Sequence, residues 1–571
     1  MGVNFKPVPA SKSKHKQRSQ RPSSGRTKPS HQQTNRSRPH ILGWLILLAI
    51  LVTMLFIRLR WLDMPLERDE GEYALAGQLL LKGIPPYTEA FNMKLPGTYF
   101  MYAFIMLIFG QTPTGIHIGY LITTLASAVF VFLIARRLLN FFAATISTSA
   151  FLVLTMIPYA LGTAAHATHF VMLFALAGVW VLMLAAQRTH PAWYLLAGVL
   201  LGLSFVMKQS GLFFPVFGLW LIMHRHLRQI PVNVKPLAWR TLLYSLGVIL
   251  PFGTVLVLVW SWGVFDKFWF WTFSYLQKYG TQVSWDQAGR LFHLYFTRVT
   301  DGYVWLWALS AVGFVLHLFY RPFRSIRAFL GPFVLLSALS VSAGLHFREH
   351  YFILIVPAVS LSIATALEGL RMRIQAVSAY RSLSLIVPGA VFVALLMTGY
   401  SRHRDLYFDL DVNAVSKRIY GNNPFVESKA IADFVAARTA PDERVLVFGS
   451  EPQIYFYADR LPATGYIYMY ALMEVHEYAR EMQEEMVRQV ESHAPSLIVY
   501  VGVGKSWLVR PESEKYIYDW FNDYFRDNGY VPVGAMDITD DPKVKYYWNA
   551  DARGHRRSGD FIHILQKGPS V

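Results

Sequence analysis

A nearly unbroken apolar run over 41–57 sets the pattern for the first two thirds of the chain. As a helix it is about 26 Å long, enough for a bilayer core. Arg58 and Arg60 follow bulky residues rather than a small-residue cleavage site, so the run reads as an uncleaved anchor. Further apolar blocks lie near 116–135, 141–159, 170–187, 193–207, 211–223, 241–262, 301–320, 328–345, 351–369 and 382–400. With the first they predict about eleven spans. The block 97–110 is too short to cross undistorted. It carries Tyr99, Phe100, Tyr102 and Phe104 and is expected to lie at the interface as a juxtamembrane helix.

The pattern changes abruptly after about residue 400. Helical periodicity over 425–439, 473–492 and 513–527 alternates with short apolar runs at 445–448, 497–501, 530–533 and 561–565. This is the signature of an α/β domain. The expected organisation is a basic disordered tail (1–40), a polytopic helical membrane domain (41–400) and an α/β domain (401–571). No internal repeat of the kind that marks two-fold transporters is visible.

Charge fixes the expected orientation. Of 571 residues, 54% are apolar and 16% charged, with a net charge of +18, which excludes a single soluble enzyme domain. The tail holds ten Lys or Arg and no acid, which fits a cytoplasmic segment against anionic lipid rather than a nucleic-acid arm. If 97–110 does not cross, the short basic loops at 136–137, 188, 225–240, 321–327 and 371–381 all fall on the side of the tail, as the positive-inside rule requires. The chain is then an integral protein of the plasma (inner) membrane with a cytoplasmic N-terminus and an extracytoplasmic C-terminal domain. Without cysteine there is no disulfide, thiolate metal site or cysteine nucleophile.

The outward segments hold the candidate chemistry. In the loop after the first span, Asp69, Glu70 and Glu72 cluster at the start of a helix. A carboxylate there can serve as general base or hold a divalent cation. Asp69 and Glu72 also have the spacing of a capping box. Glu72 and Tyr73, with His166 and His169 on the second outward turn, are candidates for acceptor or substrate contact. The two histidines, three apart, also suit zinc, although two ligands make an incomplete site. Lys94, Lys208 and the cluster His346-Phe347-Arg348-Glu349-His350 offer cations for a phosphate. Each also has a plainer reading, as a snorkelling anchor or a solvated turn. The aromatic-rich segment 263–300 reads as an interfacial belt or as a platform for a sugar or isoprenoid chain.

An acidic motif after the first span, a lysine before a proline and then an aromatic helix together resemble the GT-C class membrane glycosyltransferases. The nearest resemblance is to the protein O-mannosyltransferase and aminoarabinose transferase superfamily. Asp69-Glu70-Gly71-Glu72-Tyr73-Ala74, Lys94-Leu95-Pro96, Tyr159-Ala160-Leu161-Gly162-Thr163 and Met207-Lys208 carry it. The resemblance implies a polyprenyl-phosphate sugar donor and a glycan, lipid or protein acceptor from the extracytoplasmic side. Asp69 would then be the base, with Glu70 beside it, and Lys94 would contact the lipid phosphate. A single displacement at C1 would invert its configuration. Two departures bear on substrate identity: Glu72 replaces an arginine of the aminoarabinose transferases, and Thr168 beside His169 replaces an aspartate. The alternative is a multi-span transporter or flippase for lipid or solute, which would place ionisable groups within several spans.

Overall fold

The computed structural model describes residues 38–568, except 189, 229–232, 379, 381 and 556–558. The basic tail expected over 1–40 lies outside the described residues up to position 37. The helices of the first part are α1 (Arg38–Arg60), α2 (Arg68–Leu81), α3 (Gly97–Phe109), α4 (Pro113–Leu138), α5 (Phe141–Leu154), α6 (Ala167–Ala185), α7 (Ala192–Met207), α8 (Phe213–Leu227) and α9 (Val234–Ser261). They continue with α10 (Phe265–Trp269), α11 (Leu276–Gly280), α12 (Trp285–Thr300), α13 (Val304–Phe319), α14 (Arg327–Ser342), α15 (Val356–Val377) and α16 (Leu383–Arg402).

Six helical segments among the described residues are long and apolar enough to cross a membrane, or seven if the bent pair α12–α13 counts as one. The chain is therefore an integral membrane protein, with fewer full-length spans than the eleven apolar blocks suggest. The reason is local. The block 141–159 stops being α-helical at Leu154, and the blocks 193–207 and 211–223 become α7 and α8 of 16 and 15 residues around a break at 208–212. Helix α3, 13 residues long, has the short length expected of a juxtamembrane element.

The broken ends are satisfied rather than left bare. Arg58, at the end of α1, donates to the carbonyls of Gly162 (2.5 Å) and Thr155 (3.0 Å) where α5 gives out. Unpaired carbonyls at that depth would cost several kcal/mol each, on the order of a lost buried hydrogen bond. The membrane part is centred on α15, whose residues from Val356 to Gly369 are all buried. Ser360, Ser362 and Thr365 keep its surface small. Gly313 of α13 makes the closest crossing: a Cβ there would stand 1.8 Å from the Ser362 carbonyl oxygen.

Beyond α16 the chain builds a six-stranded sheet from β1 (Arg444–Phe448), β2 (Leu461–Pro462), β3 (Leu497–Gly502), β4 (Tyr530–Asp537), β5 (Tyr546–Trp548) and β6 (Phe561–Lys567). The order is β2-β1-β3-β6-β4-β5. β1 pairs in parallel with β2 and β3, and the remaining pairs are antiparallel. Helices Phe425–Ala436, Ala479–His493 and Tyr516–Asp527 accompany the sheet near the predicted positions. α2 packs against helix Pro452–Ala458, where Gly71 removes a Cβ that would sit 2.6 Å from the Gln453 backbone nitrogen. That close approach locks α2 to the sheet domain.

Candidate active site

A cavity of about 350 Å³ lies between the helical bundle and the sheet domain. Its wall includes Asp69, Tyr73, Lys94, His166, Lys208, His346, Arg348 and His350. Residues predicted on five separate segments therefore meet in one space. Glu70, Glu72 and His169 do not line it.

The start of α2 explains the split between neighbouring carboxylates. The capping box is Glu67 with Glu70, not Asp69 with Glu72. The Glu67 side chain accepts from the Glu70 N–H (2.9 Å), and Glu70 reaches back to the Glu67 N–H (3.4 Å). Glu70 also accepts from the Ala165 N–H (2.6 Å) and contacts His117 Nε2 (3.1 Å), whose Nδ1 is 2.8 Å from the Leu62 carbonyl. With its oxygens so engaged, and 2% exposed, Glu70 holds the bundle to α2 rather than facing substrate. Asp69, about 100° further round the helix, points into the cavity.

Asp69 Oδ1 accepts from Lys94 (3.0 Å) and from the hydroxyl of Tyr468 (2.9 Å). Burial opposes ionisation of Asp69, but the charge and hydrogen bond of Lys94, together with His350 and His166, outweigh it and hold the carboxyl well below the usual range. Lys94 is itself divided: it lies 2.6 Å from Glu72 and 4.5 Å from the centre of the Tyr73 ring. Glu72 also accepts from Tyr99 (2.8 Å). It is therefore the counter-charge of Lys94 behind the wall, not a substrate contact. His169 pairs with the hydroxyl of Tyr120 (3.0 Å), which donates to Gly162 (2.9 Å), and so serves packing rather than substrate.

His166 is different. It is 1% exposed, and neither ring nitrogen has a hydrogen-bond partner. Burial pushes its pKa down to about 4, leaving the ring neutral. It stacks on His350, with centroids 4.2 Å apart and planes 9° apart. Lys208 sits in extended backbone at the break after α7. Its Nζ lies 3.7 Å from the centre of the Tyr351 ring. Burial, together with Lys94 and Arg348, pushes it down to about 7. Neither Lys208 nor Arg348 forms an ion pair among the described residues.

The turn carrying His346 and Arg348 is strained. Leu345 and Phe347 have φ of +60° and +46°, next to Gly344 at +74°. Side chains rarely adopt such values, which cost about 1–3 kcal/mol each and persist where surroundings enforce them. Here the result is that His346, stacked on Tyr279 at 4.3 Å, and Arg348 both reach the cavity. Of the aromatic segment 263–300, Trp271, Tyr275 and Tyr279 line the cavity, whereas Trp285 is 83% exposed.

Sequence reasoning missed the wall contributed by the sheet domain: Tyr468, Tyr470 and Glu474. The alternating Tyr466-Ile467-Tyr468-Met469-Tyr470 was the available signal. It also missed Arg68, which pairs with Glu451 (2.6 Å) and bonds Tyr470 (2.8 Å), Asn423 (3.1 Å) and the Ser450 carbonyl (2.5 Å). Glu451, the residue before helix Pro452–Ala458, is fully buried as the partner of that arginine.

The fold is that of the GT-C class membrane glycosyltransferases. The crystal structure of ArnT from Cupriavidus metallidurans bound to undecaprenyl phosphate matches with a TM-score of 0.53 and 15% identity, over 92% of this chain and 98% of that one. The same protein in the apo state matches at 0.52 and 15%, over 93% and 100%. The archaeal oligosaccharyltransferase AglB from Archaeoglobus fulgidus, in complex with an inhibitory peptide and a dolichol-phosphate, matches at 0.52 and 11%, over 92% and 76%. Residues 93–260 match the family described as dolichyl-phosphate-mannose-protein mannosyltransferase. The resemblance to the protein O-mannosyltransferase and aminoarabinose transferase superfamily is thus borne out, by the family match over 93–260 and by the fold over most of the chain. No curated protein matches the sequence significantly.

Proposed function

We propose that this protein transfers a sugar from a polyprenyl-phosphate-linked donor to a glycan, lipid or protein acceptor on the extracytoplasmic face, with Asp69 as the base. The observation that carries the reading is the meeting of Asp69, Lys208 and Arg348 in one cavity. The similar solved structures with bound undecaprenyl phosphate and dolichol-phosphate support a donor of this class. Chain direction supports the orientation. α4 and α8 carry their basic residues, Arg136–Arg137 and Arg225, at the ends away from the cavity. By the positive-inside rule the cavity faces outward, and the sheet domain that closes it lies outside as well.

The division of labour follows from the charges. Lys94 is already balanced by Asp69 and Glu72, so its part is to keep Asp69 ionised. Lys208 and Arg348, without a carboxylate ion pair among the described residues, take the donor phosphate. As the C1–O bond breaks, the phosphate gains charge, and fixed cations in a site shielded from water stabilise that gain. Asp69 accepts the proton of the acceptor, and a single displacement inverts C1.

Purified protein in proteoliposomes, given polyprenyl-phosphate sugars and candidate acceptors, tests the reading; no transfer from any such donor and no binding of the polyprenyl phosphate would refute it. Arg348→Ala is expected to raise KM for the donor by about tenfold or more, the worth of a charge-assisted hydrogen bond. An unchanged KM would reduce Arg348 to a turn residue. Lys208 adds a pH dependence. Its charge is present below its pKa of about 7 and lost above it. Donor affinity should therefore be level on the acid side and weaken by at most about tenfold per pH unit above it. Lys208→Arg should flatten that slope. A slope surviving in the arginine variant assigns the titration to another group.

A further inference from the structure

The proposed base is held from two domains. Oδ1 of Asp69 accepts from Lys94 (3.0 Å), in the loop after α2, and from the hydroxyl of Tyr468 (2.9 Å), which lies 399 residues away in the sheet domain. Oδ2 forms no hydrogen bond among the described residues; Nδ1 of His166, at 3.8 Å, is beyond hydrogen-bond range. The segment carrying Tyr468 runs from β2 to the short helix Tyr470–Met473 and is firmly tied. Gln489 accepts from the Thr464 hydroxyl (2.7 Å) and the Gly465 N–H (3.0 Å), and the Ser450 hydroxyl oxygen accepts from the Met469 N–H (2.8 Å). The Gly465 carbonyl accepts from the Phe91 N–H (2.7 Å), and a Cβ on Gly465 would stand 2.4 Å from the Phe91 ring. Phe91 precedes Lys94 by three residues, so the two segments that donate to Asp69 are also joined to each other. The Tyr468 ring meets Tyr470 edge-on at 5.0 Å. Burial and the charge of Asp69 push its phenol up, so it stays protonated and donates.

We propose that Tyr468 is a positioning residue for the base: with Lys94 it fixes Oδ1 of Asp69 and leaves Oδ2 as the oxygen that takes the acceptor proton. A carboxylate oxygen has two lone pairs, and on Oδ1 both are engaged, whereas on Oδ2 both are open. In the transfer step the acceptor oxygen bonds to C1, its proton passes to Oδ2, and the electron pair of the breaking C1–O bond leaves with the phosphate. Tyr468 stops the carboxylate from turning about its Cβ–Cγ bond, so its direction is set before the acceptor arrives. Lys94 alone does not do this, because it is shared with Glu72 at 2.6 Å. Since Tyr468 belongs to the sheet domain, the base is complete only with that domain docked. The role rests on the function proposed above; the hydrogen bond rests on the geometry alone.

The test is Tyr468→Phe in the full chain, in proteoliposomes with a polyprenyl-phosphate sugar donor. The variant keeps the ring and its contact with Tyr470 and removes the hydroxyl. Turnover should fall about tenfold or more, the worth of one hydrogen bond to a charged group. KM for the donor should stay within about twofold, since Lys208 and Arg348 are untouched. In the Asp69→Asn background the same substitution should change the residual rate by less than about twofold, because its effect runs through the carboxylate. Tyr466→Phe is the control. It removes a hydroxyl that donates to Glu485 (2.7 Å) from the same segment, outside the cavity, and should leave turnover within about twofold of wild type. Unchanged turnover in Tyr468→Phe, a loss confined to KM, or an equal loss in the Asp69→Asn background overturns the role, the last because a loosened segment would act in both backgrounds. NMR of protein labelled at the tyrosine Cζ carbon reads the bond without substrate. The signal that disappears in Tyr468→Phe should shift in Asp69→Asn and stay in place in Glu70→Gln. That shift without transfer from any donor by wild type leaves the bond and removes the transferase reading. Transfer by wild type with full turnover in Tyr468→Phe leaves the transferase and removes the positioning role.

Discussion

Asp69→Asn is expected to lower sugar transfer by about 10²–10⁴-fold, the usual contribution of a positioned base. The substitution keeps the shape of the side chain and its place on α2. It removes the cavity-facing carboxylate that Lys94 holds ionised. Oδ1 would still accept from Tyr468, now 2.9 Å away, so the contact to the sheet domain survives. Lys94 keeps Glu72 at 2.6 Å and does not become an unpaired buried charge. The loss should therefore appear in turnover, with donor binding and thermal stability close to wild type. Glu70→Gln provides the contrast. Glu70 accepts from the Ala165 N–H and contacts His117 outside the cavity, so its replacement should lower stability more than turnover. If Asp69→Asn turns over at the wild-type rate, the proton is taken by another group and the proposed base is wrong.

Glu451→Leu is expected to carry the largest stability penalty, about 3–5 kcal/mol, because it strands a buried arginine. Arg68 is 7% exposed and has Glu451 as its one counter-ion among the described residues; its other partners are the neutral Ser450, Tyr470 and Asn423. The pair also joins α2 to the sheet domain, so the loss should loosen the wall formed by Tyr468 and Tyr470. Arg68→Met combined with Glu451→Leu removes both charges and should recover much of the penalty, as apolar replacements of buried ion pairs often do. The readout is the apparent Tm of the four proteins of the cycle, compared at one scan rate because membrane proteins unfold irreversibly. Equal Tm values for wild type and Glu451→Leu would show that the pair contributes little to the join.

Local pattern was enough for the elements, and partly for the site. Apolar runs and their flanking basic residues located the membrane helices, and four of the six strands were visible as short apolar runs. β2 and β5, at two and three residues, were too short to leave a period. The apolar blocks outnumber the described helices long enough to cross because hydropathy continues across a break that the backbone does not, as at 208–212. The capping box was misread by two positions because glutamate is an uncommon N-cap, and Glu67 precedes the acidic cluster. That shift decides which carboxylate faces the cavity. One position on a helix is about 100°, so Asp69 and Glu70 diverge although they are neighbours in the chain.

By itself the amino-acid sequence determined the membrane class, the change of pattern near residue 400 and the set of ionisable groups available for chemistry. These follow from composition and period, which are local properties. Only the tertiary structure decided how the charges pair: Lys94 with Asp69 and Glu72, Arg68 with Glu451, and His166 stacked on His350 instead of acting with His169. Their separations along the chain range from 22 residues for Lys94 and Glu72 to 383 for Arg68 and Glu451. Coulomb and hydrogen-bond energies depend on distances in space, and those are set by helix packing and by the docking of the sheet domain, for which the linear pattern holds no measure.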